Sequence, residues 1–254
     1  MSARGALRIV AGSSTADPPA ETFVVGFVGD DGVECQQHLH ECADRTFENG
    51  APVRSFPSYR GQRNWPGLWW SSTLSAHVGF ESWLERDHVM LMDFDPDVVS
   101  FAAQPFWLFF RDERRTRSHA PDFFARHRDG SATVIDCRPD GRIKPRDTLA
   151  FDATARACQQ AGWSYKRVGE ADPVVLENVR WLAGYRHPRF VVSPAIERLR
   201  SVFATPRPLV QGADLVEMPR LAVLPALFHL LWTGELTADL SVTLNETTVV
   251  REAS

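Results

Sequence analysis

One stretch constrains the fold more than any other: residues 119–139, HAPDFFARHRDGSATVIDCRP. Two apolar runs flank Asp129-Gly130, and an Asp-Gly pair in that setting is typical of a tight β-hairpin turn. Each arm carries one carboxylate, Asp122 on the first and Asp136 on the second. The second arm is apolar up to its acid, which predicts that Asp136 stands at the end of a buried strand.

The segments around this hairpin predict helices packed on a sheet. HVGFESWLERDHVMLMDFDP (77–96) has apolar residues near helical spacing, and VVSFAAQPFWLFF (98–110) reads as two short strands. After the hairpin come a helix over 146–162 that closes on a glycine, the strand WSYKRVG, and a helix opened by Asp172-Pro173. This order predicts the α/β (α+β) class, with a mixed sheet flanked by helices.

The chain is expected to divide into four segments. Residues 1–20 are small, polar and proline-containing, which predicts a disordered tail. A β-hairpin and loop region is expected over 21–75, and the sheet-and-helix core over 76–190. Residues 191–254 combine helical patterns with short strand-like runs, and they predict a small helical, winged-helix-like module.

The composition of the chain limits which kinds of binding partner and which cellular compartment are expected. The 254 residues include 28 basic and 32 acidic ones, so a net charge of −4 gives no bulk attraction to nucleic acid, and only local patches could bind it. The longest apolar stretch, 221–232, is too short to span a bilayer, so no membrane partner is expected. Four cysteines without a CxxC pair, and no visible signal peptide, favour a reducing cytoplasm.

The loop region contains RSFPSYRGQRNWPGLWWSST (54–73), which is rich in aromatic residues and arginine. Such side chains stack on nucleobases. They equally fill an ordinary packed surface loop, and the sequence leaves both interpretations open.

Strand alternation indicates which polar groups meet on the hairpin. Residues two apart share a face, so Asp136 and Arg138 point the same way, and Asp122 lies across the hairpin from them. The backbone carbonyl of Cys137 lies near Asp136. On the predicted helix, Glu81 and Glu85 are four residues apart and share a face.

Two or three carboxylates and a carbonyl form a site made only of oxygen ligands. Such a site suits Mg²⁺ or Mn²⁺ rather than zinc. The alternative is that these acids are solvated, as acidic residues on strands usually are. The apolar run before Asp136 and the acidic helix upstream favour the metal site.

Three stretches together resemble the TnsA-like transposon endonucleases of the PD-(D/E)xK nuclease superfamily. They are FESWLERDHVMLMDFDPDVVSFAAQPFWL, the PDF…VIDCRP hairpin, and WSYKRVGE with NVRWLAGYRHPR, and the resemblance covers roughly residues 55–190. It implies a restriction-endonuclease-like core that cleaves double-stranded DNA at transposon ends with Mg²⁺. It also implies a DDE-type transposase subunit and an AAA+ ATPase regulator as partners, and it is compatible with a homodimer.

The resemblance assigns roles to individual residues of this chain. Ser82-Trp83-Leu84-Glu85 matches the family's Ser-x-x-Glu, so Glu85 is the better candidate for the helical carboxylate and Glu81 the second. Asp122 and Asp136 match the two hairpin acids, with the Cys137 carbonyl beside them as a metal ligand. Gln104 matches the family's Gln-Pro, which implies a role in structure or substrate positioning.

Arg138 departs from the family, which has lysine at this position. An arginine stays protonated, so it binds phosphate but cannot act as a base. Lys144 and Lys166 are the candidates to supply a lysine to the site. Arg142, Lys144 and Arg146 form a basic patch that predicts a contact with the DNA backbone, with a solvated loop as the alternative.

Two other functions remain open at this point. An inactive nuclease core could serve as a DNA-binding or scaffolding partner, and Arg138 favours that hypothesis. The chain could also be a stand-alone nuclease of a defence or repair system, which nothing in the sequence excludes. A transcriptional regulator is disfavoured by the acidic net charge.

Overall fold

The computed structural model describes residues 8–9, 22–29, 31–55, 65–112 and 115–253. The predicted disordered tail over 1–20 therefore lies outside the described residues, except for Arg8–Ile9, whose backbone pairs with a later strand. Residues 56–64 of the aromatic stretch 54–73 also lie outside them.

The protein is α+β, and its described residues form seven α-helices and four sheets. The strands are β1 Arg8–Ile9, β2 Val24–Val28, β3 Glu34–His38, β4 Gly67–Ser71, β5 Ala76–Phe80, β6 Val98–Ala103, β7 Trp107–Asp112, β8 Arg115–His119, β9 Phe123–His127, β10 Ala132–Cys137, β11 Ser164–Val168, β12 Arg207–Pro208, β13 Leu236–Ala238 and β14 Val249–Glu252. The helices are α1 Leu39–Cys42, α2 Trp83–Phe94, α3 Pro145–Ala161, α4 Pro173–Leu182, α5 Ser193–Phe203, α6 Leu209–Asp214 and α7 Arg220–Trp232.

The chain folds into two compact units. Of the described residues, the first unit contains those within 1–68, 78–85 and 97–169, and the second contains those within 69–77, 86–96 and 170–254. Residues 170–190, expected with the sheet-and-helix core, belong to the second unit.

The first unit is built on a four-stranded mixed sheet in the order β11-β10-β9-β6. Strands β9 and β10 are antiparallel, with Phe123 opposite Ile135, while β10 and β11 run parallel. Gly130 at the hairpin tip has a φ of 85°, a conformation that glycine adopts without strain. The predicted hairpin is confirmed, and so is the helix that follows it, which stops where Gly162 takes a left-handed conformation.

Aromatic rings form the centre of the first unit's core. The Phe47 ring lies edge-on to Phe106 and to Trp163, at centroid distances of 5.0 and 5.7 Å. Phe124 meets Trp163 edge-on at 5.2 Å. A second sheet, in the order β1-β3-β2-β7-β8, adds Val25, Phe27 and Leu108 to the same core.

The prediction of a helix over 77–96 was wrong about where the helix begins. Residues Ala76–Phe80 form strand β5, and the helix begins only at Trp83. The cause is the capping side chain of Ser82, whose Oγ accepts from the Glu85 backbone N–H at 3.2 Å and donates to Glu85 Oε1 at 2.8 Å. Glu81 therefore precedes the helix and does not share a helical face with Glu85.

The second unit combines helices α4 to α7 with a small sheet in the order β12-β14-β13. The predicted helices are confirmed, and Asp172 caps α4 by accepting from the Val174 and Val175 N–H groups. Its core includes Val179, Leu199, Phe203, Val223, Leu227, Leu230 and Val250. Buried Asn178 donates to the Leu240 and Val242 carbonyls and accepts from the Leu244 N–H, which fixes the loop between β13 and β14.

Among the described residues, no helix is both long and apolar enough to cross a bilayer. All four cysteines are free thiols. Burial raises the pKa of Cys42 and of Cys158 to about 12, so neither is a reactive thiolate at neutral pH.

Candidate active site

A cavity of about 600 Å³ in the first unit brings together the four acids that the sequence singled out. Four carboxylates and three guanidinium groups line it, together with His119 and Cys137: Glu81, Glu85, Asp122, Asp136, Arg54, Arg138 and Arg142. Such a concentration of ionisable groups in one cavity is typical of functional sites.

Asp136 is the most deeply buried of these acids, at 1% exposure. Its Oδ1 lies 2.8 Å from His119 Nε2, and its Oδ2 accepts from the Tyr165 hydroxyl at 2.9 Å. A carboxylate can only accept, so Nε2 carries a hydrogen when Asp136 is ionised. Both carboxylate oxygens are thus held by protein donors, which fixes the orientation of the group.

The topology explains why Tyr165 reaches Asp136. Strand β11 is parallel to β10, with Tyr165 beside Val134 and Arg167 beside Asp136. Val134 and Asp136 share a face of β10, so Tyr165 lies on that face too. Burial, and then the charge of Asp136, raises the pKa of Tyr165, which keeps its hydroxyl a donor.

Asp122 lies just before β9, where it meets the end of β10. Its Oδ2 accepts from the Cys137 backbone N–H at 2.7 Å, and its backbone carbonyl accepts from the Gln104 N–H at 2.8 Å. Burial raises the pKa of the Asp122 carboxyl well above its usual range, and the nearby Glu85 and Asp136 charges raise it further. The three carboxylates therefore repel one another.

Glu85 is buried at the first turn of α2, and its side chain is held from two sides. Oε2 accepts from the Glu81 N–H at 2.7 Å, and Oε1 accepts from the Ser82 hydroxyl. Burial raises the pKa of Glu85 despite these hydrogen bonds. Glu81 instead pairs directly with Arg54 through two hydrogen bonds of 2.8 and 2.9 Å, whereas the charge of Arg54 lowers the pKa of Glu85 by less than burial raises it.

Arg138 lines the cavity directly after β10. Its backbone N–H donates to the Val168 carbonyl at 2.8 Å, and its Nε lies 3.8 Å from Asp147 Oδ2. Its positive charge lowers the pKa of Asp122, which is a smaller effect than the burial and repulsion that raise it. Sequence alternation placed Arg138 beside the hairpin acids, and the structure shows it lining the same cavity.

Cys137 lines the cavity at the end of β10. Burial raises the pKa of its thiol, and the three neighbouring carboxylates raise it further, so the side chain stays protonated. Its backbone N–H is the group already bound to Asp122.

Neither of the two candidate lysines lines the cavity. Lys166 pairs with Ile135 across the sheet and lies on the opposite face, where it lines another cavity with Thr133 and Ser164. Lys144 is exposed at the start of α3, where its backbone N–H donates to Asp147. Of the predicted basic patch, Arg142 lines the carboxylate cavity, whereas Arg146 is 74% exposed beside Asp147.

Gln104 acts on the site through its backbone. Its N–H holds Asp122, and its carbonyl accepts from the Val53 N–H at 2.9 Å. It has a φ of 49°, which is unusual for a residue with a side chain. Within the described residues its buried Oε1 has no hydrogen-bond partner.

The donor set fits a hard divalent cation in its chemistry. Glu85, Asp122 and Asp136 offer oxygen ligands only, and a bound cation would relieve the repulsion that raises the pKa of Asp122. In the part of the chain that the structure describes, no three His, Cys, Asp or Glu side chains already converge as a metal site. Each of these three carboxylates accepts at least one protein hydrogen bond, and its remaining lone pairs can bind a cation without loss of that contact.

Three residues of the site were not assigned a role from the sequence. His119 and Tyr165 contact Asp136, and Arg54 neutralises Glu81. Alternation along β11 puts Tyr165 on the same face as Trp163 and Arg167, which is the only local indication of its role. His119 lies 17 positions from Asp136 and Arg54 lies 27 positions from Glu81, and local sequence patterns do not reveal contacts over such separations.

No protein-family model matches this chain, and no curated protein matches its sequence.

Proposed function

We propose that the first unit is a metal-dependent phosphodiesterase of the PD-(D/E)xK class. The observation that carries this proposal is that Glu85, Asp122 and Asp136 line one cavity, beside Arg138 and Arg142. The mixed sheet that presents two of these acids at the end of β10 is compatible with the restriction-endonuclease-like core that the sequence resemblance implies.

Within that class, the protein is proposed to be a TnsA-like DNA endonuclease subunit. It would hydrolyse a phosphodiester at transposon ends, together with a DDE-type transposase and an AAA+ ATPase. These partners rest on the resemblance of the SWLERD helix start and the PDF…VIDCRP hairpin to that family.

Glu85, Asp122, Asp136 and the Cys137 carbonyl would hold Mg²⁺ or Mn²⁺. When bound, the ion supplies Lewis-acid chemistry, since it polarises a phosphate and lowers the pKa of a water. Arg138 and Arg142 are suited to hold the phosphate oxygens through their planar donor groups. His119 and Tyr165 hold Asp136 in one orientation, so the carboxylate keeps its place while substrate binds.

The C-terminal part of the second unit is proposed to be a winged-helix-like module that contacts a protein partner. Its order, α5, β12, α6, α7, β13 and β14, fits that architecture. Helix α7 carries a single basic residue other than histidine, Arg220, which pairs with Asp214. The loop between β13 and β14 contains Asp239 and Glu246 but no lysine or arginine, which disfavours contact with a DNA backbone.

Titration of Mn²⁺ into the purified protein by calorimetry tests the metal site. Binding by the wild type and its loss in both Asp122→Ala and Asp136→Ala would support the nuclease. The matched control is Asp152→Ala, because Asp152 is an exposed aspartate on α3 that does not line the cavity. Equal binding by all four proteins, or none by any, would refute the site.

An inactive nuclease fold that serves as a scaffold is the second candidate. Two observations favour it: Arg138 cannot act as a base, and the carboxylate oxygens of Glu85 and Asp136 are bound to protein donors. A folded wild type that binds DNA but no Mn²⁺, with or without DNA, would establish this function instead.

A further inference from the structure

Tryptophan side chains surround the carboxylate cavity. Trp65 and Trp83 line it at 66% and 53% exposure, and Trp107 lines it partly buried. A large aromatic side chain usually hides most of its surface in a folded protein. Of the three tryptophans that are exposed in the described part of the chain, two stand at this one cavity.

The fold fixes where Trp83 lies. It is the first residue of α2, and the hydrogen bonds between Ser82 and Glu85 hold the start of that helix. The same capping contact therefore orients the Glu85 carboxylate and places the indole at the cavity.

The position of Trp65 is set by Gly67, whose backbone lies close to the ring of Phe80. A Cβ at Gly67 would lie 2.5 Å from Cζ of Phe80, so only glycine lets strand β4 pack against that ring. Trp65 precedes this strand and reaches the cavity.

We propose that Trp65 and Trp83 form a base-stacking platform beside the carboxylates. The site would then take a DNA strand with at least one unpaired nucleotide next to the phosphate it acts on. Indole rings stack on the faces of nucleobases, and those faces are covered in an intact duplex. The choice of DNA as ligand rests on the function proposed above.

Two of the arginines at the cavity suit this ligand. Arg138 and Arg142 can contact phosphates on the same strand whose base stacks on an indole. An apolar peptide would suit the tryptophans but not four carboxylates and three arginines in one cavity. A duplex would use the arginines alone.

Fluorescence anisotropy with a labelled single strand, its duplex, and a duplex with a single-stranded overhang tests the platform. EDTA prevents cleavage, so binding is measured alone. Trp65→Ala and Trp83→Ala should each weaken binding of the single strand and the overhang by about 5-fold to 100-fold, as expected for one lost stacking contact. Duplex affinity should change much less, and Trp83→Phe should retain most of the binding.

Trp181→Ala is the matched control, because Trp181 is 56% exposed but belongs to the second unit. It should leave all three affinities unchanged. Equal losses for single strand and duplex, no loss in either cavity variant, or the same loss in Trp181→Ala would overturn the platform. Both cavity tryptophans are exposed, so unchanged thermal midpoints should confirm that the variants fold.

The Mn²⁺ titration separates this inference from the proposed function. Metal binding that depends on Asp122 and Asp136, without selective loss of single-strand binding, would refute only the platform. Selective single-strand binding without a metal site would support the platform and refute the nuclease.

Discussion

The Tyr165 hydroxyl donates to Oδ2 of Asp136 over 2.9 Å, from a strand parallel to the one that carries the acid. With His119 on Oδ1, this contact gives each oxygen of the cavity's most buried carboxylate one protein partner. Asp136 is thereby oriented before any ligand binds. Such preorganisation is what a metal or phosphate site needs, because the cost of ordering the side chain has already been met in folding.

Tyr165→Phe removes this donor and little else. The substitution should lower the free energy of unfolding by about 1–3 kcal/mol, because a buried carboxylate oxygen loses its hydrogen bond. Urea denaturation measures the change. In an Asp136→Asn background the same substitution should cost clearly less, and an identical cost in both backgrounds would show that the bond to Asp136 is not the cause.

Asp122→Asn should stabilise the metal-free protein at pH 7, by on the order of 1 kcal/mol. The folded state raises the pKa of Asp122, so its favourable contribution is present at acidic pH and is lost as pH rises through the folded-state pKa. The wild type should therefore lose stability across that range more steeply than the variant does. Thermal midpoints measured from acidic to neutral pH test this.

Asp129→Asn is the control for Asp122→Asn, because folding shifts the pKa of Asp129 in the opposite direction. Hydrogen bonds from Ser131 lower the pKa of Asp129 at the hairpin tip, so its contribution is present at neutral pH and is lost as pH falls. This variant should not gain stability at pH 7. A gain equal to that of Asp122→Asn would mean that net charge, and not burial, is responsible.

Ser82→Ala should destabilise the first unit by about 1 kcal/mol, the usual cost of losing an N-cap side chain. The same change releases Glu85 Oε1, so the Glu85 side chain should become more mobile. Denaturation measures the first effect. Ser82→Thr keeps the hydroxyl and should restore most of the stability, and failure to do so would argue against the capping contact.

Asn178→Ala tests the second unit. It removes two donors and one acceptor that hold the loop over 240–244, and it should cost about 1–3 kcal/mol. Hydrogen exchange gives a local readout, because the Leu244 amide loses its acceptor and should exchange faster. An unchanged Leu244 rate in a folded variant would contradict the contact.

Local sequence was sufficient for several elements and their ends. Asp129-Gly130 predicted the hairpin, Gly162 predicted the end of α3, and Asp172 with Pro173 predicted the start of α4. Each signal lies within a few residues of its effect, because turn geometry and helix capping are short-range physics. The alternation of side chains along a strand also predicted that Asp136 and Arg138 point to the same side.

The tertiary structure decided which side chains meet. Helical spacing predicted that Glu81 and Glu85 share a face. In the structure Ser82 caps the helix, and Glu81 forms an ion pair with Arg54, 27 residues earlier. Lys166 had the right charge, yet the parallel pairing of β10 and β11 puts it on the far face and gives Tyr165 the place beside Asp136. Sequence periodicity and composition depend on residues that are close along the chain. The burial of a side chain, its pKa and its place in a cavity depend on residues that are brought together by the tertiary fold. The sequence therefore determined several of the elements and located the acids near them, and only packing decided which groups share the cavity.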